Sequence, residues 1–362
     1  MEYYHSRYGT PKKKKGKRRF VKFLTWLIII IILLVAGAGY YLYQLVFNPN
    51  VWTSDGKDVA IYIPTGSDYE DLKTILYKQG LIVHRNNFEW WAEQKKLPLR
   101  ILPGKYMISH DMNNQDLINL LRSGDQTPVN VIFNNVRDVY QVAGIVDKQI
   151  EADSASIAAI MSDTNQLKTF GLTPETASIL FIPNTYEFYW NTSAKEFVDR
   201  MYEEYSKFWD NYRTSRASSI NLTVAEVVTL ASIVEKETNK NDEKAAIAGV
   251  YMNRLKAGWR LQADPTVVYA VGDFNIRRVL NIHKKVDSPY NTYRHLGLPP
   301  GPICIPSISS IDAVLNYDSN GYFYFCAKDD LSGYHVFAKT GAQHNRNAKK
   351  YQEALNNLKI YE

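Results

Sequence analysis

The stretch ASIVEKET, residues 231–238, sets two glutamates two positions apart at the end of the apolar run LTVAEVVTL. Carboxyl groups move protons in much of enzyme chemistry, and an ionised one is rarely sunk among apolar neighbours without a partner. Read as a helix, the segment starts at Thr223, with Glu226 three residues on completing a capping box. The helical period then aligns Glu235 with Ala231, Val228 and Val224, the stripe expected to face the core, and turns Glu237 almost the opposite way. Glu235 is therefore the expected chemical group, its pKa expected to rise by desolvation. Glu237 is expected to be a surface charge or salt-bridge partner.

Other chemistries have less to stand on. His283, His295, His335 and His344 show no HxxxH or Cys/His spacing, so no metal site is expected. No Gly-rich phosphate loop and no nucleophile elbow occurs, and no cofactor is expected. Cys304 and Cys326 lack motif spacing; an oxidising compartment would permit a bridge, and two buried small hydrophobes fit at least as well. What remains is a chain with 26 Tyr and 7 Trp and neutral hydrogen-bonding residues in its loops. That mixture suits a sugar polymer, whose rings stack on aromatics and whose hydroxyls and acetamides need polar partners.

The elements that must position these residues begin at a membrane. The chain has 362 residues, 45% of them hydrophobic, enough for two folded domains. Residues 1–22 hold nine Lys or Arg against Glu2, a net of +8 within a total of +6, which leaves −2 for everything after them. Residues 23–47 (FLTWLIIIIILLVAGAGYYLYQLVF) carry no charge and exceed the ~20 residues a helix needs to span a bilayer. The positive-inside rule keeps the basic tail in the cytoplasm and puts the rest outside. A cleaved signal peptide fits less well, because its apolar region runs to roughly 7–15 residues. A basic tail flush against a span reads as topology, so no nucleic-acid partner is expected.

After a linker at 48–57, DVAIYIP alternates like a strand, SDYEDLKTILYKQG and NNFEWWAEQKK read as helices, GKYMIS as a strand and MNNQDLINLLRSG as a helix. TPVNVIFNNV opens a second region with a strand, and residues 140–208 are mainly helical, interrupted by FIPNTYEFYWNT. NDEKAAIAGVYMNRLKAGW is another helix. LQADPTVVYAVG is a third, with Asp264 as N-cap and Pro265 at its first position. Residues 288–306 form a Pro/Gly-rich loop, YFYFCAK and YHVFAK a β-hairpin, and a polar helix closes the chain.

ASIVEKET, VYMNRLKAGWRLQADPTVVYAVG, SPYNTYRHLGLPPGPI and YFYFCAKDDLSGYHVFAKTGAQHN, in that order, resemble the YceG-like endolytic murein transglycosylases. The resemblance implies an α+β architecture: a transmembrane helix, a small LysM-like α+β module at 58–125, and a mostly helical catalytic domain with a short β-hairpin at 126–362. It implies a membrane-anchored enzyme that cleaves the MurNAc–GlcNAc bond of peptidoglycan strands, leaves a 1,6-anhydro end and terminates glycan elongation. Its partners would be glycan strands, the bilayer and peptidoglycan synthases. The resemblance assigns the catalytic role to the first glutamate of IVEKE, Glu235, as helix phase does. It sets Gln262, Tyr290, Asn291, Thr292 and Tyr293 against substrate. His335 either meets substrate or braces the fold, Asp264 caps a helix ahead of orienting substrate, and Glu187 is a further candidate. FIPNTYEF departs from the family pattern with Asn184 where aspartate is common. Two rivals stay open: a muramidase-type hydrolase and a tethered, non-enzymatic glycan-binding scaffold.

Overall fold

The charge-free residues 23–47 lie inside one continuous helix, α1 (Lys15–Phe47), in a computed structural model that describes Gly9 and residues 15–357. The stretch Arg18–Phe47 is long and apolar enough to cross a membrane. Most of the basic tail, including Arg7 and Lys12 to Lys14, lies outside the described residues. The chain divides into two units, Met1–Thr127 and Pro128–Glu362.

In the first unit α1 is followed by β1 (Val59–Ile63), α2 (Tyr69–Lys78), α3 (Arg85–Gln94), β2 (Gly104–Ile108) and α4 (Asn114–Ser123). β1 and β2 pair antiparallel, Val59 opposite Ile108 and Ile63 opposite Gly104. Alternation puts Ile61, Ile63, Tyr106 and Ile108 inward, where they meet Leu72, Leu76, Phe88 and Leu117 in one core. Asp68 and Asp71 form the capping box that starts α2. The end of α1 is tied to this unit through buried amides: Asn114 Nδ2 donates to the Leu45 carbonyl (2.8 Å) and Asn50 Nδ2 to Asn114 Oδ1 (2.7 Å).

The second unit holds β3 (Val129–Phe133), α5 (Val139–Val146), α6 (Ser154–Ser162), α7 (Thr164–Thr169), β4 (Asn184–Phe188), α8 (Ala194–Phe208) and α9 (Asn211–Ser219). It continues with α10 (Val224–Glu237), α11 (Lys244–Lys256), α12 (Asp264–Val271), α13 (Ile308–Leu315), β5 (Tyr324–Ala327), β6 (His335–Ala338) and α14 (Gly341–Asn357). The expected terminal hairpin is β5 against β6, with Ala327 opposite His335. Part of FIPNTYEFYWNT is more than an interruption between helices: β4 pairs antiparallel with β3, Asn184 opposite Phe133. Strand pairing across some fifty residues leaves little local trace. Helix α13 follows the Pro/Gly-rich loop at once, where sequence patterning assigned no helix.

α10 is the centre of this unit. Its capping box is as expected, Thr223 Oγ1 accepting from Glu226 N (3.2 Å) and Glu226 Oε2 accepting from Thr223 N (2.8 Å). All eight residues from Val227 to Val234 are buried, because α9, α11, α12 and α13 pack around the helix. Over those eight residues the helix has no solvent face for a period to point at, and exposure returns only toward its ends, at Glu226 and Lys236. Both cysteines are free thiols. Burial pushes the Cys304 thiol up to about 12, and the thiolate is the reactive form. Folded protein treated with iodoacetamide at mildly alkaline pH should therefore leave Cys304 unmodified until denaturant is added, as peptide mass spectrometry would report.

Candidate active site

The two glutamates at the end of α10 meet opposite environments. Glu235 points at the start of α13, where Ser307, the N-cap residue, makes no side-chain cap of its own. The Glu235 carboxylate fills that role from outside the helix. Its Oε2 accepts from Ser307 Oγ (2.5 Å), Ser310 Oγ (2.5 Å), Ser307 N (3.4 Å) and the ammonium of Lys244 (3.1 Å). The Lys244 side chain is only 4% exposed and that of Glu235 19%. Burial works to raise the Glu235 pKa, but the serine hydroxyls and Lys244 together outweigh it, and the group ends below the ordinary carboxylate value. The expected rise is thus corrected: desolvation was foreseen, the donors that cancel it were not. A carboxylate accepting this many bonds is held ionised.

Glu237, the last residue of α10, faces α11 and α12. Tyr251, on α11, donates its hydroxyl to Glu237 Oε1 at 2.5 Å. Burial drives the Glu237 pKa up to about 7; the Asp264 carboxylate adds to the rise, while the Tyr251 hydrogen bond and Arg254 oppose it. The expectation that Glu237 is an outward surface charge fails, because α11 and α12 cover the side of α10 that phase alone assigns to solvent. Glu237 and Asp264 both line a cavity of about 530 Å³, walled also by Val268, Tyr269 and Phe274. Such a volume lies in the range of small-ligand sites.

Asp264 is not an N-cap. Ala263 holds that position, Asp264 is the first helical residue and Pro265 the second. Freed from capping, the Asp264 carboxylate accepts the Tyr293 hydroxyl at 2.5 Å. Of the residues set against substrate from sequence, Asp264 and Tyr293 are brought together beside Glu237. Tyr290 packs on Tyr269, ring centroids 4.7 Å apart, one side chain back from the cavity wall.

None of the others lines this cavity. Asn291, fully buried, donates from Nδ2 to the Lys284 and Val286 carbonyls (3.0 and 2.8 Å) and accepts the Tyr293 N–H. Thr292 Oγ1 bonds Thr266 Oγ1 (2.8 Å) and accepts from Ala263 N (3.0 Å). These two residues shape the loop that delivers Tyr293 to Asp264. Gln262 is exposed with a left-handed φ of 51°, and its N–H donates to the Thr292 carbonyl. His335 braces the hairpin: its N–H donates to Glu243 Oε1 (2.7 Å) and its Nδ1 lies 3.1 Å from Glu243 Oε2. Glu187 is exposed on β4 opposite Asn130. Gly301, in the GLPPGP turn, lies so close to the Glu175 carbonyl that a Cβ would collide with it, which explains a glycine there. Among the described residues no group of three or more His, Cys, Asp or Glu gathers as a metal site.

Sequence reading missed Tyr251, Arg254 and Lys244. Arg254 donates from Nε to the Phe323 carbonyl (2.8 Å) and from Nη1 to that of Leu261, which fixes the approach to α12. The signal for Glu237 was present: an apolar run with no polar face implies a helix buried all round.

The model of the YceG-like family matches residues 61–350. An endolytic murein transglycosylase of Streptococcus pneumoniae (strain D39) is 29% identical over 365 residues, covering 91% of this chain and 65% of that protein. The chain thus spans about 65% of that relative's length. An endolytic murein transglycosylase of Bacillus subtilis is 29% identical over 340 residues, with 90% of this chain and 92% of that protein covered. The crystal structure of a putative YceG-like protein from Listeria monocytogenes matches with a TM-score of 0.52 and 28% identity, over 80% of this chain and 99% of that one.

Proposed function

We propose, from the premise that this chain belongs to the YceG-like family, that it is an endolytic lytic transglycosylase acting on peptidoglycan glycan strands with Glu237 as its proton donor and acceptor. The observation that carries the reading is a single glutamate in the wall of a 530 Å³ cavity with its pKa at about 7. At neutral pH such a group populates both protonation states, as a group that must give and then take a proton requires. Protonated Glu237 donates to the glycosidic oxygen as the C1–O bond breaks. The muramyl C6 hydroxyl then attacks C1 and returns its proton to Glu237, closing the 1,6-anhydro ring. No water is consumed, and the carboxyl group ends as it began. One group suffices because the sugar supplies the nucleophile that a hydrolase draws from a second carboxylate or water.

In this reading Glu235 is a positioning residue: through Lys244 and α13 it fixes the end of α10 from which Glu237 projects. Asp264 raises the Glu237 pKa and, steered by Tyr293, holds that charge in place. The apolar helix α1 serves as a single-pass anchor, basic end in the cytoplasm, with the catalytic unit outside the membrane. The strand–helix–helix–strand order of the first unit, with its antiparallel pair, supports a LysM-like glycan-binding role. Retention near the membrane suits cleavage of nascent strands and a terminator role beside the synthases.

Asp264 in the same cavity is the one feature that favours a muramidase-type hydrolase, as a second carboxylate. Mass spectrometry of product ends separates the two, the anhydro end being lighter by one water. The pH profile of kcat/KM tests the tuning. The acid form starts the reaction, so activity should fall as pH rises through about 7. Asp264→Asn removes a charge that raises the pKa and should move that fall to lower pH. Tyr251→Phe removes a donor to the ionised form and should move it higher. Shifts of the opposite sign would contradict the assignment.

A further inference from the structure

The cavity that holds Glu237 is more basic than the chain around it. Beyond residues 1–22 the protein carries a net −2, yet Arg137, Lys236, Arg277 and Arg278 all line this one cavity, against Asp264 and Glu237. That is four cationic side chains against two carboxyl groups. Tuning the acid does not account for them. The charges that move the Glu237 proton are Asp264 and Arg254, and Arg254 is occupied by the Phe323 and Leu261 carbonyls.

The placement of the cations is specific. The Arg137 guanidinium lies over the Phe274 ring, 3.4 Å from its centroid. Stacking on a ring face leaves the guanidinium edge for in-plane recognition of a carboxylate. Lys236 is held by Asn135 Oδ1 at 3.1 Å, and Arg277 sits exposed on the segment after α12. Between these charges the wall is apolar: Val268, Ile276 and Val279. A neutral sugar chain offers such cations hydrogen-bond acceptors but no opposite charge.

We propose that this cationic wall binds carboxylate groups on the peptide substituent carried by muramic acid residues, so that the enzyme selects peptide-bearing strands with ionised carboxylates. The proposal rests on the transglycosylase reading above. A peptide offers what the wall is made for, carboxylates separated by small apolar side chains. A lipid-linked pyrophosphate would be served by backbone N–H groups at a helix start. The helix start in this cavity presents Asp264 and Pro265, a carboxylate and a residue with no N–H.

The test compares peptide-bearing glycan strands with the same strands after carbodiimide and ammonia have turned their carboxylates into amides. Wild-type enzyme should cleave the acidic strands with a kcat/KM about tenfold higher, chiefly through KM, the size expected of a pair of charge-assisted contacts. Added salt should erode the preference. Arg137→Gln/Arg277→Gln should bring the two strands to parity, and Arg277→Gln alone, at an exposed position, should lower the ratio part of the way. Equal cleavage of both strands by wild-type enzyme, a preference unchanged in the double variant, or one that follows a terminal pyrophosphate would overturn this inference alone. Absence of anhydro ends from every strand would instead remove the transglycosylase reading, and this inference with it.

Discussion

Glu237→Gln is expected to fold, to keep binding glycan, and to release anhydro-ended fragments at a rate lower by about 10²–10⁴-fold, the usual contribution of a positioned acid–base group. Glutamine keeps an oxygen to accept the Tyr251 hydroxyl but carries no proton to give the leaving oxygen. The same substitution has a stability signature that separates it from simple damage. With a pKa near 4.5 when unfolded and about 7 when folded, the native state holds a proton the unfolded chain has lost between those values. Stability should therefore fall as pH rises through that window. Glu237→Gln removes this slope. The variant should gain stability relative to wild type at neutral and mildly alkaline pH, and little at mildly acidic pH. Thermal melts across that range would read the difference, and an inactive variant less stable at every pH would point to a structural role instead.

Glu235→Ala is expected to destabilise the second unit by about 3–5 kcal/mol, the cost of stranding a buried charge. The charge is Lys244, whose ammonium keeps Ser307 and Ser309 as partners (3.2 and 3.0 Å) but loses its counterion. The start of α13 loses its only acceptor from α10 at the same time. Lys244→Met in the Glu235→Ala background should restore much of the loss, since replacing both members of a buried pair is often close to neutral. Denaturant unfolding of the single and double variants measures the recovery. The lowered Glu235 pKa contributes stability above the ordinary carboxylate range that is lost as pH falls through it. The variant should accordingly show a shallower acid-unfolding limb. At temperatures where Glu235→Ala stays folded, its products should still end in anhydro sugar.

The contrast between these residues marks where sequence reading succeeds. α1, the capping box at Thr223, the strand and helix order of the first unit and the terminal hairpin follow from local rules of length, capping and alternation, and each is found where expected. The assignment of Glu235 rested on helix phase together with the family resemblance, and phase separates inside from outside only for a helix with one solvated face. α10 has none from Val227 to Val234, so Glu235 and Glu237 both meet protein, and the partners each meets decide its chemistry. Ser307 and Ser310 lie more than seventy residues from Glu235 in the chain, and Tyr251 and Asp264 belong to the next two helices. Asp264 teaches the same point at shorter range. A one-residue shift of the helix start, from Asp264 to Ala263 as cap, turns an expected capping side chain into the carboxylate that faces Glu237. Asn291 and His335 carry polar side chains in motif positions, yet the Asn291 amide spends both its N–H groups on the Lys284 and Val286 carbonyls, and the His335 Nδ1 is turned to Glu243.

The most direct measurement is mass spectrometry of fragment ends released from glycan strands by three forms of the protein: wild type, Glu237→Gln and Glu235→Gln. Wild type should release anhydro-ended fragments, Glu237→Gln almost none, and Glu235→Gln, assayed where it remains folded, a substantial yield with the same ends. Near-normal anhydro release by Glu237→Gln, with Glu235→Gln folded but silent, would return the proton to Glu235 and contradict the account.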